Sequence, residues 1–159
     1  MHTETGIFIE SDPMTVFQLG SATERWPEIL PHYRWVYVLD REGNSKLVEM
    51  AANRDFRVAN WPVRWWAAQT DFPDEPRIKF THLGGVTKGM EVEWLFASRS
   101  NGVEVTIVHD LELTWPVIGG FAANYVIGPM FVDAIAGRTL ARVKELAESG
   151  QTASSGART

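Results

Sequence analysis

Apolar and polar residues alternate with a period of two over most of the chain from Tyr33 to Trp115. This period is typical of strands that bury one face and expose the other. Turn sequences interrupt it, among them Glu42-Gly43-Asn44, Phe72-Pro73-Asp74-Glu75-Pro76 and Ser100-Asn101-Gly102. The pattern therefore predicts six strands, most of them joined by hairpin turns.

The alternation also assigns side chains to the faces of these strands. The second run extends from Lys46 to Arg54. The other five runs predict these shared faces: Tyr33, Trp35, Tyr37 and Leu39; Trp61, Val63, Trp65, Ala67 and Gln69; Ile78, Phe80 and His82; Met90, Val92, Trp94 and Phe96; and Val103, Val105, Ile107, His109, Leu111, Leu113 and Trp115. In the last run polar residues stand mostly opposite, which indicates one dry and one wet face.

Helical patterns flank the six runs. Residues 3–10 alternate as a first strand, and Asp12 before Pro13 is a candidate N-cap for a short helix. A second short helical turn is predicted at Trp26 to Leu30. Beyond Pro116 the spacing of apolar residues becomes three and four, which predicts a long amphipathic C-terminal helix with this apolar stripe: Val132, Ala136, Leu140, Val143 and Ala147.

This order of elements predicts an α+β fold. We expect a curved antiparallel sheet of about seven strands, two short helices after strand one, and a long C-terminal helix across the sheet. A strongly curved sheet wrapped around a helix leaves room for an interior cavity. We assign residues 1–149 to a single ligand-binding domain and residues 150–159, which are small and polar, to a disordered tail.

Composition narrows the classes of function. The chain has 159 residues, 45% of them apolar, which suits one domain with a sizeable core. A net charge of −5 argues against nonspecific binding to nucleic acid or anionic membranes. The absence of cysteine excludes disulfides, thiol nucleophiles and cysteine-ligated metals. No apolar run reaches the roughly 18 residues of a membrane span, and residues 1–11 lack signal-peptide features, so we predict a soluble cytoplasmic protein.

Two histidines fall on predicted dry faces. His109 lies in the middle of the most apolar one, where an unpaired polar side chain costs about 1–3 kcal/mol. It is either a cavity acid/base or ligand anchor, or a core histidine bonded to a neighbouring strand. His82 shares a face with Ile78 and Phe80 but precedes two glycines, so it lies either in the cavity or exposed at a strand end.

No metal site is predicted. His2 and His32 are expected at the surface, and the two dry-face histidines have no partner at the short i, i+2 or i, i+4 spacing of chelating ligands.

Seven tryptophans are unusual for a chain of this length, and Trp35, Trp65, Trp94 and Trp115 recur on predicted apolar faces. One interpretation is plain core packing, since each aromatic side chain buries a large area. The other is a cavity wall that stacks on a flat aromatic or quinone ligand. Indole N–H groups need hydrogen-bond partners, which makes them awkward core fillers and favours the cavity.

Three features carry a resemblance to a known family. The segment Ala22-Thr23-Glu24-Arg25-Trp26-Pro27-Glu28-Ile29-Leu30 is similar to a family segment of aspartate, two residues, Trp-Pro-Glu and an apolar residue before strand two. Gly102-Val103-Glu104-Val105-Thr106 is similar to the glycine-started penultimate stretch, and the closing helix matches as well. From roughly Thr5 to Glu148 the chain thus resembles the START-like helix-grip (SRPBCC) superfamily, and within it the polyketide cyclase and dehydrase group.

This resemblance implies a helix-grip fold with a cavity lined by Trp26, Tyr33 and Trp94. In the aromatase/cyclase branch it also implies an arginine near the end of the third run, which this chain lacks, and a second where it has Leu83. The coenzyme Q-binding branch shares the Trp-Pro-Glu segment and needs no catalytic residue. The fold therefore hosts both enzymes and carriers.

We predict that the protein binds a hydrophobic, aromatic or polyketide-like small molecule in an interior cavity and catalyses its cyclisation or dehydration by proton transfer. The alternatives are a non-catalytic carrier of quinone, lipid or another apolar metabolite, and a protein-interaction module. The predicted catalytic residues are His109, His82 and Tyr33. The predicted ligand-binding residues are Trp26, Trp35, Trp65, Gln69, Trp94, Phe96 and Met130. No cofactor or metal is expected, and a cyclase would receive its substrate from an acyl carrier protein.

Overall fold

The computed structural model describes the backbone of residues 1–56, 59–85, 87–112 and 133–155. Its elements are strand β1 (His2–Ile9), helix α1 (Pro13–Ser21), a 3-10 turn (Thr23–Arg25), helix α2 (Trp26–Ile29), strands β2 (Tyr33–Glu42), β3 (Ser45–Phe56), β4 (Ala59–Phe72), β5 (Arg77–Gly85), β6 (Glu91–Arg99) and β7 (Gly102–Asp110), and helix α3 (Asp133–Ser155). The predicted order of elements and the α+β class are confirmed.

The seven strands form one antiparallel sheet in the order β1-β7-β6-β5-β4-β3-β2. All neighbours are adjacent in sequence except β1, which pairs with β7 along its whole length. Helix α3 packs on the sheet. Lys144 Nζ donates to the Phe8 carbonyl at 2.8 Å, and Arg142 Nε donates to the Ile29 carbonyl at 3.0 Å. The closing helix is therefore tied both to β1 and to the short helix α2.

The buried side of α3 follows the predicted stripe. Ala136, Leu140, Val143 and Ala147 are all buried, whereas Val132 lies outside the described residues. Each fully buried aliphatic side chain of the size of leucine or valine contributes about 1.5–3 kcal/mol to folding. The stripe thus supplies the apolar surface that covers the sheet.

The predicted inner faces of β4 to β7 are correct for the described residues. Val63, Trp65, Ala67 and Gln69 are buried on β4, and the buried sets of the next strands are Ile78, Phe80 and His82; Val92 and Trp94; and Val103, Val105, Ile107 and His109. Leu111 continues the last row beyond the end of β7, while Leu113 and Trp115 lie outside the described residues. A period of two therefore locates the core on these four strands.

The predicted face of β2 is wrong beyond its first residue. Tyr33 is buried, but Trp35 is only half-buried and Tyr37 and Leu39 are exposed. The pairing of β2 with β3 shifts register between Tyr33 and Trp35, which is a β-bulge or irregularity. Because one extra residue reverses the parity that follows it, Val36 points inward in place of Trp35.

The predicted cap of α1 is confirmed. Asp12 has extended backbone and its carboxylate accepts a hydrogen bond from the Thr15 amide at 3.0 Å, with Pro13 in the first turn. At the other end of the chain, α3 includes residues 150–155, which the sequence assigned to the tail, and residues 156–159 lie outside the described part. Within the described residues no helix is both long and apolar enough to cross a bilayer.

Candidate functional site

A cavity of about 70 Å³ lies between the inner face of the sheet and helix α3. Five aromatic side chains line it: Trp26, Tyr33, Trp65, Phe80 and Trp94. The sheet adds the aliphatic residues Met50, Met90, Val92 and Ile107, and α3 adds Ile135, Ala136 and Thr139. His82 and His109 complete the described wall. Six of the predicted site residues are thereby brought together.

Trp26 stands at the centre of the aromatic wall. Its ring is stacked on Trp94 with a centroid distance of 5.7 Å and meets Tyr33 edge-on at 5.0 Å. Aromatic pairs at such distances contribute about 0.5–1.5 kcal/mol beyond their buried area. The indole N–H of Trp26 donates to the Leu19 carbonyl at 3.1 Å. Its polar group is thus satisfied by α1, and its ring faces remain available for packing.

His82 is buried at the β5 side of the cavity. Its Nδ1 lies 2.6 Å from the hydroxyl oxygen of the buried Thr87, and its ring is stacked on Trp65 with centroids 5.9 Å apart. Burial, and secondarily the nearby His109, lower the pKa of His82 to about 3. The imidazole is therefore neutral at physiological pH and held in one orientation.

His109 reaches the same cavity from β7. It is 9% exposed, and its Nδ1 is buried without a hydrogen-bond partner among the described residues. Burial lowers the pKa of His109 to about 4, although the Asp110 carboxylate opposes this shift. A neutral imidazole has one donor and one acceptor nitrogen, so this residue brings unused hydrogen-bonding capacity to a largely apolar wall.

Tyr33 and its neighbour His32 connect the cavity to α3. Burial raises the pKa of the Tyr33 hydroxyl, which stays protonated at neutral pH. The surface position predicted for His32 is wrong: the side chain is half-buried, with Nε2 3.0 Å from the Thr139 hydroxyl and its ring 4.8 Å from that of Tyr33. Burial and the charge of Arg138 lower the pKa of His32 to about 4.

Three of the predicted ligand-binding residues do not line the cavity. Trp35 lies on the other face of β2 because of the bulge and stacks on Tyr37 at 4.9 Å. Phe96 is half-buried and packs against Phe17 at 5.5 Å. Gln69 is buried in a polar cluster of its own. Met130 lies outside the described residues.

The polar cluster around Gln69 fixes the segment between α1 and α2 to the sheet. The Gln69 side-chain carbonyl accepts from the Thr23 hydroxyl at 2.8 Å, and its NH₂ group donates to the Ser21 carbonyl at 2.8 Å and to Asp71 at 2.7 Å. Lys46, also buried, donates to Ser21 at 2.8 Å and to Glu24 at 2.6 Å. These contacts give Gln69 a structural role.

Several residues that line the cavity were not predicted from the sequence. Thr139 follows Ala136 by one helical turn, so the stripe of α3 contained the signal for it. Met50 lies on the one strand run to which the pattern assigned no face. Among the residues that the structure describes, no group of three or more His, Asp or Glu side chains could hold a metal ion.

Comparisons with known proteins place this geometry in a family. The family model described as polyketide cyclase / dehydrase and lipid transport matches residues 9–126. No curated protein shows significant sequence similarity to the chain.

Among solved structures, the Zhui aromatase/cyclase from Streptomyces sp. R1128 has a TM-score of 0.79 at 17% identity, covering 93% of each chain. TTHA0849 from Thermus thermophilus has a TM-score of 0.78 at 21% identity, covering 94% of this chain and 99% of its own. A START superfamily protein from Mycobacterium smegmatis has a TM-score of 0.64 at 17% identity, covering 94% and 95%. At such identities these similarities show the shared fold.

Proposed function

Because the chain belongs to the polyketide cyclase / dehydrase and lipid transport family, we propose that it binds a compact apolar small molecule with at least one aromatic ring between its sheet and α3. The observation that carries this proposal is the cavity wall itself. Trp26, Tyr33, Trp65 and Trp94 meet around one void, where flat faces are available to a flat guest.

The size of the cavity limits the ligand. At about 70 Å³ it is well below the roughly 300–1,000 Å³ of drug-sized pockets. An engineered apolar cavity of about 150 Å³ accommodates benzene. Met50 and Met90 line the void, and methionine side chains adapt readily because they are unbranched. We therefore infer a guest with a single ring that is admitted by movement of the methionines.

Tryptophan fluorescence tests binding directly. An apolar aromatic ligand that enters the cavity should change the emission of Trp94 and leave that of Trp35, on the outer face of the sheet, unchanged. The matched variants Trp94→Phe and Trp35→Phe separate the two sources: the ligand-dependent signal should fall in the first and persist in the second. If no apolar aromatic ligand changes the signal of the wild-type protein, and none is retained in native mass spectrometry, the binding function is refuted.

A second candidate is proton transfer on the bound ligand, as in cyclisation or dehydration. The observation that favours it is the pair of neutral imidazoles, His82 and His109, in the cavity wall. Each imidazole is unprotonated and so can accept a proton from carbon next to a ketone, while the burial that keeps it neutral also makes it a weaker base than a free imidazole. The enolate oxygen would then be stabilised by neutral donors such as the Thr139 and Tyr33 hydroxyls, since no Lys or Arg is among the described lining residues.

Turnover separates the enzyme from the carrier. A cyclase should convert a short poly-β-ketone, free or delivered by an acyl carrier protein, to a cyclic product that mass spectrometry detects. His109→Leu should slow this conversion at least about 10²-fold, whereas the same change at the exposed His2 should leave it unaltered. A carrier would instead transfer an unchanged ligand between vesicles, with no difference between the two variants in product formation.

A further inference from the structure

The most informative feature of the cavity is an unsatisfied polar atom. Nδ1 of His109 is buried without a hydrogen-bond partner in the described part of the chain, and the side chain lines the void. Such groups are rare in native proteins because an unmade hydrogen bond in a dry environment is costly. Thr3 stands opposite His109 in the β1–β7 register, and within the same described ranges its hydroxyl is also buried without a partner. The polar atoms here are not paired with each other.

The lack of charged side chains among the described lining residues adds a second constraint on the ligand. No Lys, Arg, Asp or Glu is among the described residues that line the cavity, and its titratable side chains are Tyr33, His82 and His109. Burial keeps both histidines neutral and the tyrosine protonated at physiological pH. A carboxylate or phosphate placed here would lose its hydration without meeting an opposite charge. The wall therefore selects against ionised ligands.

Building on the binding function proposed above, we propose that the ligand is an uncharged aromatic molecule with one hydroxyl or carbonyl oxygen, which hydrogen-bonds to the imidazole of His109. The ligand's ring lies against the indoles, and its oxygen bonds to Nδ1 of His109, which is fully buried and reaches the void by rotation of the imidazole ring. A hydroxyl group suits either tautomer of the imidazole, and a carbonyl suits the one whose N–H faces it. Fatty acids and phospholipid headgroups are excluded from this position by their charge.

Three single-ring probes of matched shape test the proposal on the full chain. They are p-cresol, toluene and 4-methylbenzoate, with binding measured by calorimetry at about pH 7.5, where the carboxyl group is ionised. We expect p-cresol to bind about fivefold to tenfold more tightly than toluene, as one neutral hydrogen bond provides. We expect 4-methylbenzoate to bind more weakly than toluene.

Variants test whether the preference for p-cresol over toluene depends on His109. His109→Leu should bring the affinities for p-cresol and toluene within about twofold of each other, while the same substitution at the exposed His2 should preserve the preference. His109→Gln retains a hydrogen-bonding side chain and should keep part of it, which provides a readout if the leucine variant fails to fold. Thr3→Val should preserve the preference for p-cresol, and its loss there would overturn the assignment to His109.

The outcomes distinguish this proposal from the binding function. If toluene binds the wild-type protein as well as p-cresol does, or 4-methylbenzoate binds best, the neutral-oxygen proposal is overturned while the cavity remains a binding site. If p-cresol does not bind at millimolar concentration but larger apolar aromatics change the Trp94 fluorescence, it is overturned as well. If none of these ligands binds, the proposed function itself fails.

Discussion

At the residue scale, Gln69 is the side chain on which the attachment of α1 and α2 to the sheet depends most clearly. It is fully buried and bonded to Thr23, Ser21 and Asp71. Gln69→Leu conserves its volume but leaves the Thr23 hydroxyl and the Ser21 carbonyl with fewer partners. We expect urea unfolding to show a loss of about 2–4 kcal/mol. Gln18→Leu, on the exposed side of α1, should change stability by less than about 0.5 kcal/mol.

The chemistry of single residues was easier to predict than their partners. The strand pattern placed Gln69, His82 and His109 on dry faces, and all three are buried. It could not show that Gln69 is bonded to Thr23 while Nδ1 of His109 has no partner in the described ranges, because these outcomes depend on residues 46 positions away or on the other strands. In the sequence pattern, His109 in the cavity wall and Gln69 in a structural role therefore could not be told apart. A stability loss in Gln69→Leu with unchanged ligand affinity would confirm the distinction.

At the element scale, the close pairing of β4 with the C-terminal end of β5 depends on a glycine. Gly85 has φ of +87°, and a Cβ there would lie 2.3 Å from the Arg64 carbonyl oxygen and 2.8 Å from Trp65 Cα. Gly89 has a similar φ of +90° but open space around it. Gly89→Ala should cost about 1 kcal/mol for the backbone conformation alone. Gly85→Ala adds a clash with backbone and should cost about 3 kcal/mol or more.

Chemical denaturation gives the loss of unfolding free energy in each variant. The difference between the two losses is the steric cost of the added Cβ at Gly85. Equal losses would mean that β5 moves away from β4 without penalty, and would contradict the close approach. His82 lies on β5 close to Gly85. A displacement of Gly85 should therefore also weaken the stacking of the His82 ring on Trp65.

Irregular pairing is also where element prediction failed. On β4 to β7 the alternation identified the core face, but on β2 one shift of register placed Trp35 and Tyr37 outside. Nothing in the residues Tyr33 to Trp35 marks this irregularity, because no glycine or proline stands there. It arises from the pairing with β3, which a local pattern does not contain.

At the scale of the whole molecule, the order of elements was enough to predict the sheet, the closing helix and a cavity between them. The dimensions of that cavity were not predictable, since they depend on how far α3 stands from the sheet and on how side chains from several elements interdigitate. The structure gives about 70 Å³ with two buried histidines in its wall. The two histidines in its wall therefore link the packing of the cavity to the acid stability of the fold.

The stability of the protein should fall as the pH is lowered from about 7.5 to 5. Burial holds the pKa of His82 at about 3 and that of His109 at about 4, compared with 6.5 for the free side chain. Below about pH 6.5 the unfolded chain thus binds protons that the folded chain does not, so the free energy of unfolding decreases as the pH is lowered. Each histidine can lower the free energy of unfolding by up to about 1.4 kcal/mol per pH unit. We therefore expect a total loss of about 2–4 kcal/mol.

Urea unfolding followed by tryptophan emission at several pH values measures this loss. His32, whose pKa is also lowered by burial, acts in the same direction, whereas the raised pKa of exposed His2 opposes it. His2→Leu should therefore keep or steepen the decline, and His109→Leu should flatten it by roughly a third to a half, because one of three buried or half-buried histidines that titrate in this direction is gone. The carboxyl groups with lowered pKa, Glu24 and Glu148, lose their contribution only below about pH 4.5. A free energy of unfolding that stays constant from pH 7.5 to 5 would show that the histidines are solvated, and would contradict their burial in the cavity wall.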